Sequence, residues 1–278
     1  MVTESPDIPP HHTHRGRLTL LIGAVLVLVV AAAILVPLLM WGPKVEQARP
    51  LVIPEGRRAS QVYAAVDRAL SVASGTTEKA AAAADLPLPA EANGNPEGYL
   101  FPATYPVTSR TTPQGLLRYM VDTAVERFGA DHITTGARRN GVSVYRTVTI
   151  ASIVQAEADT EHDMGKVARV IYNRLDRGMP LQMDSTLNYA LNRSSLDTTT
   201  GDTKIDSPYN SYERKGLPPT PIGNPGEQAT TAAITPTPGP WLYFVTVAPG
   251  DTRFTSSYAE QQKNVEQFNR NRLSASSG

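Results

Sequence analysis

The residue in this sequence best placed to do chemistry is Glu157. It lies in the stretch Ile150-Ala151-Ser152-Ile153-Val154-Gln155-Ala156-Glu157-Ala158. On a helix, Ile150, Ile153, Val154 and Glu157 fall at i, i+3, i+4 and i+7, which is a single face. Glu157 thus takes a position that the pattern would give to an aliphatic side chain. A carboxylate there loses water, and near a helix C-terminus it also meets the negative end of the dipole. Both effects disfavour the ionised form, so the spacing predicts a raised pKa, the property a general acid needs at neutral pH. A Glu at the edge of an apolar stripe can equally pair with a cation of the next helix, here Arg169 or Arg174.

Two polar clusters follow. Asn173 precedes Arg174-Leu175, and Gln182 and Asp184 lie in Leu181-Gln182-Met183-Asp184-Ser185-Thr186. Amides and carboxylates of this kind bind sugar hydroxyls, although Asp184 or Ser185 can also simply cap a helix. The third cluster is Ser207-Pro208-Tyr209-Asn210-Ser211-Tyr212. Tyr209 and Tyr212 offer aromatic faces for stacking on sugar rings, with Asn210 between them to bond hydroxyls or N-acetyl groups. Pro-Tyr clusters also serve just to hold a loop.

Other chemistries are poorly supported. The chain has no cysteine, which excludes disulfides, thiol nucleophiles and Cys-ligated metals. Its five histidines, at 11, 12, 14, 132 and 162, do not suggest a metal site in the folded part. No phosphate-binding glycine loop, H-E-x-x-H or G-x-S-x-G motif occurs. Nothing around Lys166, Lys204 or Lys215 suggests a pyridoxal-phosphate lysine, so no cofactor is implied. Two-carboxylate glycoside hydrolysis could recruit Asp159, Glu161, Asp163, Asp184, Asp206 or Glu213, none embedded in an apolar face as Glu157 is. With 26 basic and 26 acidic residues the 278-residue chain has no basic field to gather nucleic acid.

The elements that must position these residues read as α+β. A brief strand is expected at Leu51-Val52-Ile53 and a helix from Ser60 with Val62, Val66, Leu70 and Val72. Lys79 to Asn95 reads as a loop or linker. Thr112-Pro113 starts a helix that Gly129 stops, with Leu116, Leu117, Met120, Val121 and Ala124 as its apolar stripe. A helix over Thr147 to Ala158 carries Glu157, and another runs from an Asp163 cap to Gly178. Strands are expected at Trp241 to Val247 and Arg253 to Ser256, then a polar helix from Tyr258 to Arg272.

Ahead of all this, Leu18 to Met40 holds 23 residues without a charge. As a helix it would span about 35 Å, more than the ~30 Å hydrocarbon core of a bilayer. Its length and its ending in PLLMW argue against a cleaved signal peptide, and Trp41 fits an interfacial anchor. The expected organisation is a disordered cytoplasmic tail (1–17), a membrane helix (18–41) and a tether (42–50). Arg15 and Arg17 on one side and Lys44 and Arg49 on the other leave the orientation undecided by charge.

The segments resemble, in order, the endolytic murein transglycosylase family (MltG, or YceG-like). The matching pieces are Ile53-Pro54-Glu55-Gly56, Glu97-Gly98-Tyr99-Leu100-Phe101-Pro102-Ala103-Thr104-Tyr105, Ala151-Ser152-Ile153-Val154-x-x-Glu157 and Val170-Ile171-Tyr172-Asn173-Arg174-Leu175. They continue with Leu181-Gln182-x-Asp184-x-Thr186, Ser207-Pro208-Tyr209-Asn210-Ser211-Tyr212, Gly216-Leu217-Pro218-Pro219-x-Pro221-Ile222, Asn224-Pro225-Gly226 and Leu242-Tyr243-Phe244-Val245.

The resemblance implies cleavage of nascent peptidoglycan strands between MurNAc and GlcNAc by a membrane-anchored protein, single-pass, whose catalytic domain is extracytoplasmic. It makes Glu157 the catalytic residue, and Asn173, Gln182, Asp184, Tyr209, Asn210 and Tyr212 substrate contacts. It also implies a partial LysM-like module and linker over 51–94, a YceG-like catalytic domain over 95–273 and a disordered tail over 274–278. Implied partners are the glycan strands and, by analogy, membrane cell-wall synthases and division or elongation proteins. Ser185 replaces a usual Pro, Thr220 a usual Gly, and Arg253 and Gln261 stand where His is common. These departures and the short LysM-like segment favour an alternative, a non-catalytic peptidoglycan-binding scaffold; retention of Glu157 favours the enzyme.

Overall fold

The element that carries Glu157 is enclosed on every side rather than along one stripe. In the computed structural model, which describes residues 14–40, 47–193 and 199–276, helix α6 (Val144–Glu157) is preceded in chain order by α1 (His14–Met40), β1 (Arg49–Val52), α2 (Ala59–Leu70), α3 (Thr76–Ala83), β2 (Thr104–Val107), α4 (Pro113–Phe128) and α5 (Asp131–Arg139). It is followed by α7 (Glu161–Asp176), α8 (Asp184–Ala190), α9 (Glu227–Ile234), the hairpin β3 (Tyr243–Ala248) and β4 (Asp251–Thr255), and α10 (Tyr258–Ser276). Ten helices and two antiparallel two-stranded sheets among the described residues make the fold α+β, as expected.

Helix α6 starts where Ser143 accepts from the N–H of Arg146 at 3.2 Å, an N-cap that satisfies one orphan donor of the first turn. From Thr147 to Val154 every residue is buried. Its polar members are satisfied within the chain: Thr147 and Thr149 donate to carbonyls four residues back, and Ser152 Oγ donates to Thr149 O. α5, α7, α8 and α9 all pack against it. Ile150, Ile153, Val154, Val167, Ile171, Leu181, Ile222 and Ala233 form the core so made. The expectation of one apolar face is corrected accordingly. Helix α7 is capped by Thr160, which accepts from Asp163 N, so the expected Asp163 cap lies three residues too late.

A second core joins Leu51, Ile53, Val62, Val66, Leu100, Tyr105, Leu116 and Met120. β1 pairs with β2 in register Leu51 to Tyr105, and Ile53 N donates to Ala103 O. The residues on either side of 94/95, where the sequence suggests a module boundary, therefore share one core, and Ala48–Gly278 forms a single compact unit. The stretch read as loop or linker, Lys79 to Asn95, is partly helical: α3 runs into it and a 3-10 turn at Ala90–Ala92 follows. α10 runs on to Ser276, into the segment expected as a disordered tail.

The unit Met1–Gln47 contains α1. Its described side chains run over 23–36, and the large apolar ones, Val25 to Val30 and Ile34 to Val36, are half or more exposed. Among the described residues no helix is long and apolar enough to cross a membrane. The predicted span over 18–40 extends beyond the described side chains at both ends. Residues 1–13 of the tail, Trp41 and the first part of the tether lie outside the described residues.

Candidate active site

Glu157 is the last residue of α6, where the helix leaves its core and meets the negative end of its own dipole. Neither Arg169 nor Arg174 pairs with it. Arg169 donates to the carbonyls of Thr237 and Pro236. Arg174, buried in α7, donates to Leu242 O and Leu181 O at 2.6 Å each and to Pro180 O at 3.2 Å. A buried guanidinium spent on carbonyls fixes backbone, and here it holds the segment before α8 against β3.

That segment brings the second cluster to Glu157. Gln182 N donates to Ser211 O, Met183 N to Ser211 Oγ, and the hydroxyls of Thr186 and Ser211 are hydrogen-bonded to each other at 2.8 Å. With 181–186 so fastened to 210–212, the backbone N–H of Ser185 reaches Oε1 of Glu157 at 3.2 Å, and Tyr212 Oη donates to Asp184 Oδ1. Glu157 has part of its surface on an open groove, yet its carboxyl is packed round by protein atoms. Burial holds its pKa above the usual carboxylate range, and the nearby Asp184 charge adds to this, against the opposing Ser185 bond. Burial likewise pushes the Tyr212 phenol up, as does its bond to Asp184.

The groove measures about 930 Å³, near the top of the ~300–1,000 Å³ usual for small-molecule sites. Glu157, Asp159, Asp184 and Ser185 lie along it, with Ile222 beside them. Gly56, Arg58, Gln61 and Asn188 also line it, as do the end of β3 with Pro249 (246–249) and Phe268, Asn271 and Arg272 of α10. The Pro-rich loop 217–226 positions the α2 end. Ile222 N donates to Ser152 Oγ and Gly226 N to Gln155 Oε1, which ties the loop to α6. Asn224, fully buried, accepts from Leu100 N and donates from Nδ2 to Arg57 O, while Gly56 N donates to its carbonyl.

Of the predicted site residues, Glu157 and Asp184 line the groove, and Tyr212 adjoins it through Asp184. The other four serve elsewhere. Asn173 Nδ2 is spent on the carbonyls of Gly239 and Trp241. Gln182 is exposed, with φ at 52° and its Oε1 accepting from Arg174. Tyr209 packs on Tyr189 with centroids 4.9 Å apart and shares a hydroxyl bond with Thr220. Asn210 is fully buried: its Nδ2 donates to Thr203 O and Ile205 O, and its Oδ1 accepts from Tyr212 N. It is a loop pin with no surface left for a ligand. Among the departures from the family pattern, Arg253 donates to Gln267 and Gln261 to Phe244 O, both away from the groove lining.

One group that the spacing did not single out is Glu97. It is 3% exposed and accepts from Ala59 N at 2.9 Å, Tyr189 Oη at 3.0 Å and Asn224 Nδ2 at 3.4 Å. Burial pushes its pKa up to about 7, against those donors and the Arg58 charge. The next residue, Gly98, has φ at +85°, and a Cβ there would lie 2.5 Å from Pro221 Cγ, so glycine is required where this carboxyl turns inward. The signal was in the Glu97-Gly98 pair, which reads as a turn until the partners from α2 and α8 are seen.

A profile of the YceG-like family matches residues 31–267. The endolytic murein transglycosylase of Bacillus subtilis strain 168 is 38% identical over 176 residues, 62% of this chain and 48% of that protein. The protein of the same name from Streptococcus pneumoniae D39 is 36% identical over 183 residues, 64% of this chain and 33% of that one. This chain thus spans half or less of the length of those relatives. A YceG-like protein of Listeria monocytogenes, known from a crystal structure, superposes with a TM-score of 0.67 at 30% identity, over 78% of this chain and 75% of that one. With a family profile spanning most of its length, the chain belongs to the YceG-like family.

Proposed function

We propose that this protein is a lytic transglycosylase that cleaves peptidoglycan strands between MurNAc and GlcNAc, with Glu157 as its catalytic residue. The observation that carries the reading is a carboxyl whose environment favours the protonated form, without a cation partner among the described residues, opening on a groove of about 930 Å³. The names of the relatives point to the same substrate.

In this mechanism the Glu157 carboxylic acid gives its proton to the glycosidic oxygen as the C1–O bond breaks. The carboxylate left behind then takes the proton of the MurNAc C6 hydroxyl, whose oxygen closes on C1. The products are a free GlcNAc end and a 1,6-anhydro-MurNAc end, and Glu157 is again protonated. No water is consumed, so one carboxyl serves both steps, unlike the two-carboxylate scheme of ordinary glycosidases. Asp184, held by the Tyr212 hydroxyl, lines the same groove as Glu157.

The uncharged stretch over 18–40 supports insertion as a single membrane helix, with the groove on the extracytoplasmic side where nascent strands emerge. Residues 51–94, from the end of β1 through α2 and α3, are the part that a shortened LysM-like module would occupy. Membrane cell-wall synthases and division or elongation proteins are the partners that fit such a placement.

The test is to incubate the detergent-solubilised chain with uncross-linked strands in ¹⁸O-water and analyse the ends by mass spectrometry. Anhydro ends without ¹⁸O are expected. Ends carrying ¹⁸O would make the protein a hydrolase. Intact strands that nonetheless bind would make it a scaffold.

A further inference from the structure

The groove carries a cation whose role the cleavage reaction does not use. Arg58 precedes α2, and its backbone is fixed on both sides: its N–H donates to Gln61 Oε1 at 3.0 Å, and the next N–H, of Ala59, donates to buried Glu97. The guanidinium lies 5.3 Å from the ring centroid of Tyr189, and Nη2 donates to Arg193 O at 2.7 Å. No other described residue accepts from it, and no described carboxylate lies within ion-pair distance. Arg58 is half-buried, lines the same groove as Glu157, and sits with the neutral polar side chains of Gln61 and Asn188. The acidic side chains of the groove, Glu157, Asp159 and Asp184, come from α6, the turn after it and α8.

A guanidinium placed over an aromatic ring, with its Nε and Nη1 edge uncommitted among the described residues, is organised to meet a carboxylate in bidentate fashion. Glu97 attracts the guanidinium only at longer range, and partial burial strengthens any direct pairing made in the groove. Peptidoglycan carries its carboxylates on the lactyl arm of MurNAc, in the attached peptide or, where the peptide is gone, as the lactate itself. We propose that Arg58 forms an anion subsite that takes a carboxylate on this lactyl arm and thereby fixes which sugar bond faces Glu157. The proposal rests on the peptidoglycan reading above. It makes the protein selective for strands that are charged beside the bond to be cut.

The experiment uses the full chain in detergent and three substrates: strands with free peptide carboxylates, the same strands with those carboxylates amidated, and strands stripped of peptide. Wild type is expected to show a KM about tenfold lower for free than for amidated peptides, the scale of one charge-assisted hydrogen-bonded pair. Arg58→Gln loses this preference with kcat within about twofold, and Arg58→Lys restores part of it. A preference for stripped strands that Arg58→Gln also abolishes places the carboxylate on the lactate itself. Lack of any preference in wild type, or its retention in Arg58→Gln, overturns the proposal. Should wild type cut nothing, the functional reading fails, yet the subsite is still tested by binding. Free-peptide strands should bind Glu157→Gln about tenfold more tightly than Glu157→Gln/Arg58→Gln, and equal binding overturns it.

Discussion

The backbone N–H of Ser185 donates to Oε1 of Glu157 at 3.2 Å, joining the start of α8 to the end of α6. The bond favours the ionised carboxyl and so opposes the burial that favours the neutral one. A proline at 185, the residue the family pattern would place there, has no N–H to give. The serine therefore sets the proton affinity of this chain's Glu157 lower than a proline would.

Ser185→Pro tests this directly. Proline is tolerated in the first turn of a helix, so the fold should persist. Glu157 then holds its proton to higher pH, and the alkaline limb of kcat/KM moves up by about one pH unit. A limb that stays in place or moves down contradicts the account.

Glu97→Gln probes the other buried carboxyl. With its pKa raised from 4.5 to about 7, Glu97 contributes stability that is fully present below the ordinary carboxyl range and is lost as pH rises to about 7. The loss is on the order of 3 kcal/mol. Wild type should therefore melt at lower temperature at pH 8 than at pH 5. The variant should show a smaller drop, the remainder coming from Glu157, which titrates in the same sense. An undiminished drop in the variant would assign the effect elsewhere.

Asn210 and Tyr212 lie two residues apart and should behave oppositely. Asn210→Ala leaves the carbonyls of Thr203 and Ile205 without their amide donor, at a cost of about 2 kcal/mol or more. Its kcat/KM, measured where the protein is folded, should stay within threefold (roughly the scatter of a structural change). Tyr212→Phe removes only the hydroxyl that holds Asp184. It should lower kcat/KM about tenfold with little change in melting temperature. The reverse pattern would move the substrate contact to Asn210.

What the sequence could reveal divides along physical lines. Local signals read well: Thr112, Pro113 and Gly129 bracket α4, whose stripe of Leu116, Leu117, Met120, Val121 and Ala124 is buried as its spacing predicts. α5 escaped notice because it buries only Ile133, Gly136 and Ala137, and Gly136 packs directly on Ile234. A helix of nine residues is too short for these three positions to stand out as a stripe. The burial of Glu157 was legible because a carboxylate interrupts an apolar pattern. Asn173 and Asn210 were not, since an amide that binds a sugar and one that pins a loop look alike until the carbonyls facing them are known. Arg58, the end of β3 and α10 line the groove through contacts far apart in sequence, which no spacing rule encodes.

The central claim is that one protonated carboxyl cuts the strand. The most direct measurement is the yield of anhydro-ended products from Glu157→Gln beside wild type, on the same strands, with melting curves and strand binding recorded for both. Glutamine keeps the size and an acceptor for the Ser185 N–H but has no proton to transfer. The account predicts matching melting and binding with no anhydro products from the variant, whereas a yield equal to wild type would contradict it.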